Sequence, residues 1–145
     1  MYAKILVPLD GSKRAEMIRP HVRELANRFE ATIIFLKVIE PIHPIVAEET
    51  SIGLGDKGID AKIEKCESYL EGVASKLRNK GITCKSLVAH GRVVEKIIEV
   101  AQAEDVDLIA MTSHGYGGLT RIFYGSVAAG VLNRIDRPLF LIRSN

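Results

Sequence analysis

The sequence predicts an α/β fold: one doubly wound, five-stranded parallel sheet with helices on both faces. Three observations predict it. Short apolar runs rich in β-branched residues recur along the 145 residues, and between them apolar residues fall at helical spacing. The strand runs are apolar almost throughout rather than alternating, the pattern of strands covered on both faces. The resulting order, β-α-β-α-β-α-β-α-β, implies right-handed crossovers and parallel pairing.

Residues 4–9 (KILVPL) form the first run, and Asp10-Gly11-Ser12 end it. Ile18, Val22, Leu25, Ala26 and Phe29 then share one helical face. Pro20 lies inside that pattern. Proline is tolerated in a first turn, so the helix is expected to start near Ala15 or Glu16. Residues 31–38 are the second strand. Residues 39–58 contain Pro41, Pro44, Gly53, Gly55 and Gly58 among acidic residues, and read as a long connection. It is taken as a passive loop in preference to a lid.

Residues 61–80 form a charged amphipathic helix with Ile63, Cys66, Leu70, Val73 and Leu77 on one face, stopped by Gly81. Residues 83–89 are the third strand, and Val93, Ile97, Ile98 and Ala101 mark the next helix. Residues 107–111 are the fourth strand. Val127, Ala128, Val131 and Leu132 mark the last helix, and residues 138–142 the last strand. The length suits a single domain over residues 1–145.

Composition narrows the function classes. Apolar residues make up 47% and charged residues 26%, ordinary for a globular protein. Twenty basic residues against 18 acidic ones give a net charge of +2, and the basic residues are scattered. That is no electrostatic footprint for nucleic acid. Cys66 and Cys84 lie far apart, with no C-x-x-C and no neighbouring His. They read as reduced structural thiols of a cytoplasmic protein rather than metal ligands. No apolar run approaches the roughly 18 residues of a membrane span. Met1-Tyr2-Ala3-Lys4 runs into a strand, not a signal peptide.

The most informative stretch follows the fourth strand: Thr112-Ser113-His114-Gly115, residues 116–124, then Gly125-Ser126 at the start of a helix. Glycines at both ends let backbone N–H groups approach an anion. The helix N-terminus adds free N–H groups and the positive end of a dipole. Ser126 adds a hydroxyl. Taken alone, the loop reads equally as a surface turn with Ser126 as an N-cap. In doubly wound sheets, however, ligands bind at strand carboxyl ends where strand order reverses. Asp10 and Thr112 end the first and fourth strands, so both segments meet at one crevice if those strands flank that point.

Rival chemistries lack their residues. No G-x-x-x-x-G-K-[S/T] run follows the first strand, and no G-x-G-x-x-G does. Ser113 and His114 are adjacent, so their side chains are not expected to meet, and no orienting acid is evident. His21, His43 and His90 fall in different segments without metal-ligand spacing. A phospho-accepting regulator needs paired acids after the first strand and an Asp after the third. Here a single Asp follows the first, and the third ends Val88-Ala89-His90-Gly91. Arg121 is either a γ-phosphate contact or a solvated loop charge.

With these residues the chain resembles the universal stress protein family, whose pattern after the fourth strand is G-x-x-G, nine residues, G-[S/T]. Gly115, the spacer 116–124 and Gly125-Ser126 match it; Thr112 stands at the first glycine. The run from Ile5 through Leu9 to Ser12, Leu36-Lys37-Val38, His90-Gly91 and Arg137-Pro138 also resemble family segments. The likeness covers the chain except around residues 40–60.

The resemblance implies a Rossmann-like sheet of order 3-2-1-4-5 and, in the family's nucleotide-binding branch, ATP with Mg²⁺ across the strand ends. By matching position, Pro8, Leu9 and Asp10 would lie along the ligand, with Asp10 at the ribose. Val38 would contact adenine, and Met111 and Thr112 would line base and sugar. Gly115, Gly125, Ser126 and Val127 would bind phosphates. The implied role is an adenine nucleotide-binding regulator of the stress response, with little or no turnover and no catalytic residue or resident metal ligand. The alternative is a dimeric interaction protein of the same fold with a vestigial site.

A homodimer through residues 137–143 is also expected. That strand is short and apolar, and an uncovered sheet edge invites pairing. Arg137 and Arg143 are its charged guards. The downstream protein partner is not legible in the sequence.

Overall fold

The computed structural model describes residues 1–41, 56–114 and 125–144. Strands β1 (Lys4–Pro8), β2 (Thr32–Ile39), β3 (Cys84–His90), β4 (Leu108–Thr112) and β5 (Leu139–Ile142) form one sheet in the order β3-β2-β1-β4-β5. Every pairing is parallel. The architecture is the expected one, with strand ends shifted by a residue. The helices are α1 (Lys13–Glu16), α2 (Arg19–Phe29), α3 (Asp56–Arg78), α4 (Val93–Ala103) and α5 (Ser126–Arg134).

Side chains alternate across a strand, so each central strand feeds two cores. Ile5, Val7, Ile33, Phe35, Leu108 and Ala110 point to one face, where Ala15, Ile18, Val22 and Ala26 of the first helical stretch and Leu70, Val73 and Leu77 of α3 cover them. Leu6, Ile34, Leu36, Ile109 and Met111 point to the other, covered by Ile97 and Ala101 of α4 and Ala128 and Val131 of α5. This is why the runs are apolar without alternation. No helix among the described residues is long and apolar enough to cross a membrane.

Two helices differ from the sequence expectation. The first is broken. Ser12 caps α1, its Oγ accepting from the Ala15 N–H at 3.1 Å. A separate α2 then starts at Arg19, with Pro20 in its first turn. There the missing N–H and fixed φ of proline cost nothing. The long helix starts at Asp56, so Asp56–Gly58 belong to α3 and not to the loop. Residues 42–55, on which the passive-loop reading rests, lie outside the described residues.

At the amino ends of the strands, the Asp107 carboxylate accepts the N–H groups of Ala3 and Lys4 at 2.8 and 2.9 Å, and the Asp107 N–H donates to the Lys4 carbonyl at 2.9 Å. This ties β1 to β4. Cys66 and Cys84 are both free and buried. Burial pushes the Cys84 thiol up, against the pull of Arg78, so it stays protonated.

Arg137 is not an edge guard. Its side chain is only 18% exposed, and its guanidinium donates to the carbonyls of Ala101 at 2.9 Å and Val106 at 3.3 Å. It clamps the start of β5 to the turn between α4 and β4, because a planar guanidinium can serve two carbonyls at once. The residues of β5 itself are half-buried. Arg137→Ala is expected to lower unfolding stability by about 1–3 kcal/mol. Urea unfolding checks this; unchanged stability contradicts the clamp.

Candidate functional site

The order β3-β2-β1-β4-β5 puts the reversal of winding between β1 and β4. The connections after those two strands pass to opposite faces, α1 and α2 on one and α5 on the other. They part at the carboxyl ends and leave a crevice. A cleft of about 940 Å³ opens there, within the range of small-molecule sites. Pro8, Leu9 and Asp10 after β1, Val38 of β2, Met111 and Thr112 of β4, and Gly125, Ser126 and Val127 at the start of α5 all line it. Gly115 and Arg121 lie outside the described residues.

On the β1 side, the Leu9 N–H donates to the Leu36 carbonyl at 2.8 Å, and the chain then turns sharply. Gly11 has φ of 91°, a left-handed conformation that suits glycine. The turn brings the Ser12 N–H onto Asp10 Oδ1 at 2.9 Å. Lys37 Nζ donates to the Asp10 carbonyl at 3.3 Å and places a cation at the cleft wall.

On the β4 side, Thr112 is still in strand, in register with Ile142. Its backbone is extended, which favours a β-branched residue, so the position makes no demand for glycine. Its Oγ1 donates to the His114 carbonyl at 2.8 Å and closes the turn that leaves the strand. That turn corrects one expectation. Neighbours in a strand point to opposite faces, but past the strand end Ser113 Oγ and His114 Nδ1 come within 3.0 Å and share a hydrogen bond.

Gly125 has an ordinary φ of −67°. Its requirement is room: an ideal Cβ there would lie 2.9 Å from the Ser113 carbonyl oxygen. The Gly125 N–H donates to that oxygen at 2.7 Å. The backbone amide expected on a phosphate is therefore engaged within the protein, because the strand-to-helix passage is drawn tight. Gly125, not Ser126, is the N-cap of α5, and it brings no side chain to the role. Ser126 is the first helical residue and is exposed. The helical ladder opens with the Ala129 N–H on the Gly125 carbonyl at 3.0 Å. The N–H groups of Ser126, Val127 and Ala128 thus precede the ladder, and all three residues line the cleft.

Several lining residues were missed in the sequence. Lys37 carried a signal, a lone charge in an otherwise apolar strand. Ser113 and His114 were set aside for adjacency. Lys62, Lys65 and Tyr69 of α3 carried none, since only docking of that helix brings them to the cleft. Among the described residues, no three His, Cys, Asp or Glu side chains are grouped to hold a metal.

Residues 1–143 match the sequence pattern of the universal stress protein family. The chain belongs to that family. Universal stress protein MJ0577 of Methanocaldococcus jannaschii is 30% identical over a 155-residue alignment that covers 99% of this chain and 96% of that protein. The solved structure of MJ0577 superposes with a TM-score of 0.84 at 29% identity, covering 100% of this chain and 98% of its own. Two more distant members share the universal stress protein fold. One was solved in complex with cAMP (19% identity, TM-score 0.70, 99% and 98% covered). The other, from Archaeoglobus fulgidus, was solved in complex with dAMP (19% identity, TM-score 0.66, 97% and 98% covered).

Gly125→Ala is expected to push the start of α5 away from Ser113 and cost about 1–3 kcal/mol of stability. Chemical denaturation together with hydrogen exchange at the residue 125 amide checks this. A variant of unchanged stability with a still-protected amide contradicts the steric constraint.

Proposed function

We propose that this universal stress protein binds an adenine nucleotide, ATP with Mg²⁺, in the cleft between β1 and β4, and that it acts as a stress-response regulator through that binding, with little or no turnover. The observation that carries the reading is the start of α5. Three backbone N–H groups outside the helical ladder, at the positive end of the helix, stand on the cleft wall. Such an end takes a phosphate group. Apolar Val38 and Met111 line the same cleft and suit a base, while the Asp10 turn suits a sugar. Asp10 is a carboxylate of the type that Mg²⁺ accepts beside phosphate oxygens. The adenine nucleotides in the two distant members support the ligand class. Residues 1–145 are read as one nucleotide-binding unit.

In this reading Pro8 and Leu9 shape the ribose side, and Thr112 supplies a turn-closing hydroxyl in place of a glycine. Ser126 and Val127 hold phosphate through backbone N–H groups, with the Ser126 hydroxyl adding a donor. Gly125 acts as spacer, and Gly115 keeps its place from the family pattern. Calorimetry on nucleotide-free protein is expected to show ATP binding. No heat and no thermal shift at millimolar ATP overturn the reading and favour an interaction protein with a vestigial site. Ser126→Ala is expected to weaken ATP binding by about 10-fold, the loss of one hydrogen bond to a charged group. Stability should stay within about 0.5 kcal/mol, because the cap is Gly125. Unchanged affinity removes Ser126 from the site.

We further infer a homodimer through β5. The strand lies at the end of the sheet and carries half-buried Leu139, Phe140, Leu141 and Ile142. A second copy pairing along it covers both the backbone edge and these side chains. Phe140→Lys is expected to shift sedimentation from dimer to monomer while the far-UV spectrum stays folded. A wild-type monomer at high micromolar concentration contradicts the pairing.

A further inference from the structure

The sheet has two ends, and β5 is only one of them. At the other lies β3, paired with β2 alone. Its seven residues run in unbroken register from Cys84 against Ile33 to His90 against Ile39. Two bonds fix which way its backbone groups point. The Ile33 N–H donates to the Thr83 carbonyl at 2.9 Å, and the Gly91 N–H donates to the Ile39 carbonyl at 2.9 Å. The odd-numbered residues therefore bond inward to β2, and the N–H and C=O groups of Cys84, Ser86, Val88 and His90 point outward. The Cys84 carbonyl is taken by Arg78, whose Nε and Nη2 donate to it at 3.2 and 3.0 Å. Beyond that stopper, the outward groups of Ser86 and Val88 have no partner among the described residues. Exposed edges are commonly blunted by proline, a bulge or a charge. This one has neither proline nor bulge, and its lysine, Lys85, is held by Glu104.

The edge also borders a groove. Val88 packs on the core beneath α3, so Ser86 and His90 stand on that face as well. Between them and α3 runs a space of about 690 Å³, with Glu67, Ser68 and Glu71 on the helix wall. Ser86 Oγ is buried there and has no hydrogen-bond partner among the described residues. Glu71 is ion-paired with Arg78, and among the described residues no cation pairs with Glu67. The groove thus sets an uncompensated carboxylate and an unused hydroxyl beside open strand groups.

We propose that the β3 edge and the α3 groove dock an extended segment of a partner protein that carries Lys or Arg on the side facing α3. The segment adds a sixth strand by bonding the backbone of Ser86 and Val88. Every second side chain of an added strand faces α3, where Glu67 receives the cation. A second copy of this chain fits the edge poorly. Two β3 strands pairing antiparallel about a two-fold axis bring both α3 helices to one face, with Glu67 of each copy turned toward the same seam. Like charges across paired strands oppose such pairing. The site stands apart from the cleft and does not depend on the nucleotide reading.

The test uses the full chain and three capped peptides: Val-Lys-Val-Lys-Val, Val-Glu-Val-Glu-Val, and the lysine peptide N-methylated along its backbone. Calorimetry is expected to show the lysine peptide binding at least about 5-fold more tightly than the glutamate peptide, and the N-methylated form not binding. Glu67→Gln should weaken the lysine peptide about 3-fold. Val88→Pro removes an outward N–H and no ladder bond, and should abolish binding. Hydrogen exchange on wild-type protein tests the edge without any substitution. The Ser86 and Val88 amides should exchange faster than those of Leu87 and Ala89, and the lysine peptide should slow the first pair.

Equal binding of the lysine and glutamate peptides overturns the proposal, as does an N-methylated peptide that binds like its parent. No binding at millimolar peptide overturns it, and so do Ser86 and Val88 amides that exchange slowly before peptide is added. A wild-type assembly that survives Phe140→Lys and is dispersed by Val88→Pro gives the edge to a second copy and overturns it too.

Discussion

A parallel sheet must be covered on both faces, and the rest of this molecule follows from how the chain meets that demand. The first half lays α2 and α3 over one face; the second half lays α4 and α5 over the other. The switch requires β4 to return beside β1 instead of extending the sheet beyond β3. Two central strands that are neighbours in space, yet send their chains to opposite faces, separate at their carboxyl ends. The cleft is the geometric residue of covering the sheet.

What the start of α5 offers the cleft is backbone N–H groups that precede the helical ladder. The exit from β4 is pulled tight by a chain of hydrogen bonds: Thr112 Oγ1 to the His114 carbonyl, Gly125 N–H to the Ser113 carbonyl, and Ser113 N–H to the Ile142 carbonyl. This network holds the end of one strand, the start of one helix and the edge strand in fixed relation. It uses the Gly125 amide internally and leaves the next three amides on the cleft wall. Glycine at position 125 acts here through its missing side chain, since a Cβ would press on the Ser113 oxygen. The same tightness brings Ser113 and His114 together at a point where extended backbone would keep them apart.

Much of the fold was legible because burial leaves a direct mark on composition. Residues such as Ile5, Leu6, Val7, Ile33, Ile34 and Phe35 face both cores in succession, and their unbroken apolar run is that mark. The nine described site residues carried over from the family pattern do gather at one cleft. The helix boundaries were less legible. Pro20 fits a helix start as well as a helix turn, and the early start of α1 at Lys13 depends on Ser12 Oγ finding the Ala15 amide. The role of Arg137 was misread because a charge in an apolar strand region looks like an edge device until its carbonyl partners in the α4–β4 turn are known.

The sequence by itself determined the alternation of strand and helix, the two-sided burial of the sheet, and the positions where a glycine or a small hydroxyl residue meets a strand end. These are local properties, and periodicity and side-chain size record them. The tertiary structure alone decided that the Gly125 amide is used internally, that α3 brings Lys62, Lys65 and Tyr69 to the cleft, and that the His114 ring is tethered to Ser113. Those outcomes depend on distances between elements far apart in the chain. A hydrogen bond or a steric limit of a few tenths of an ångström exists only after the elements have packed.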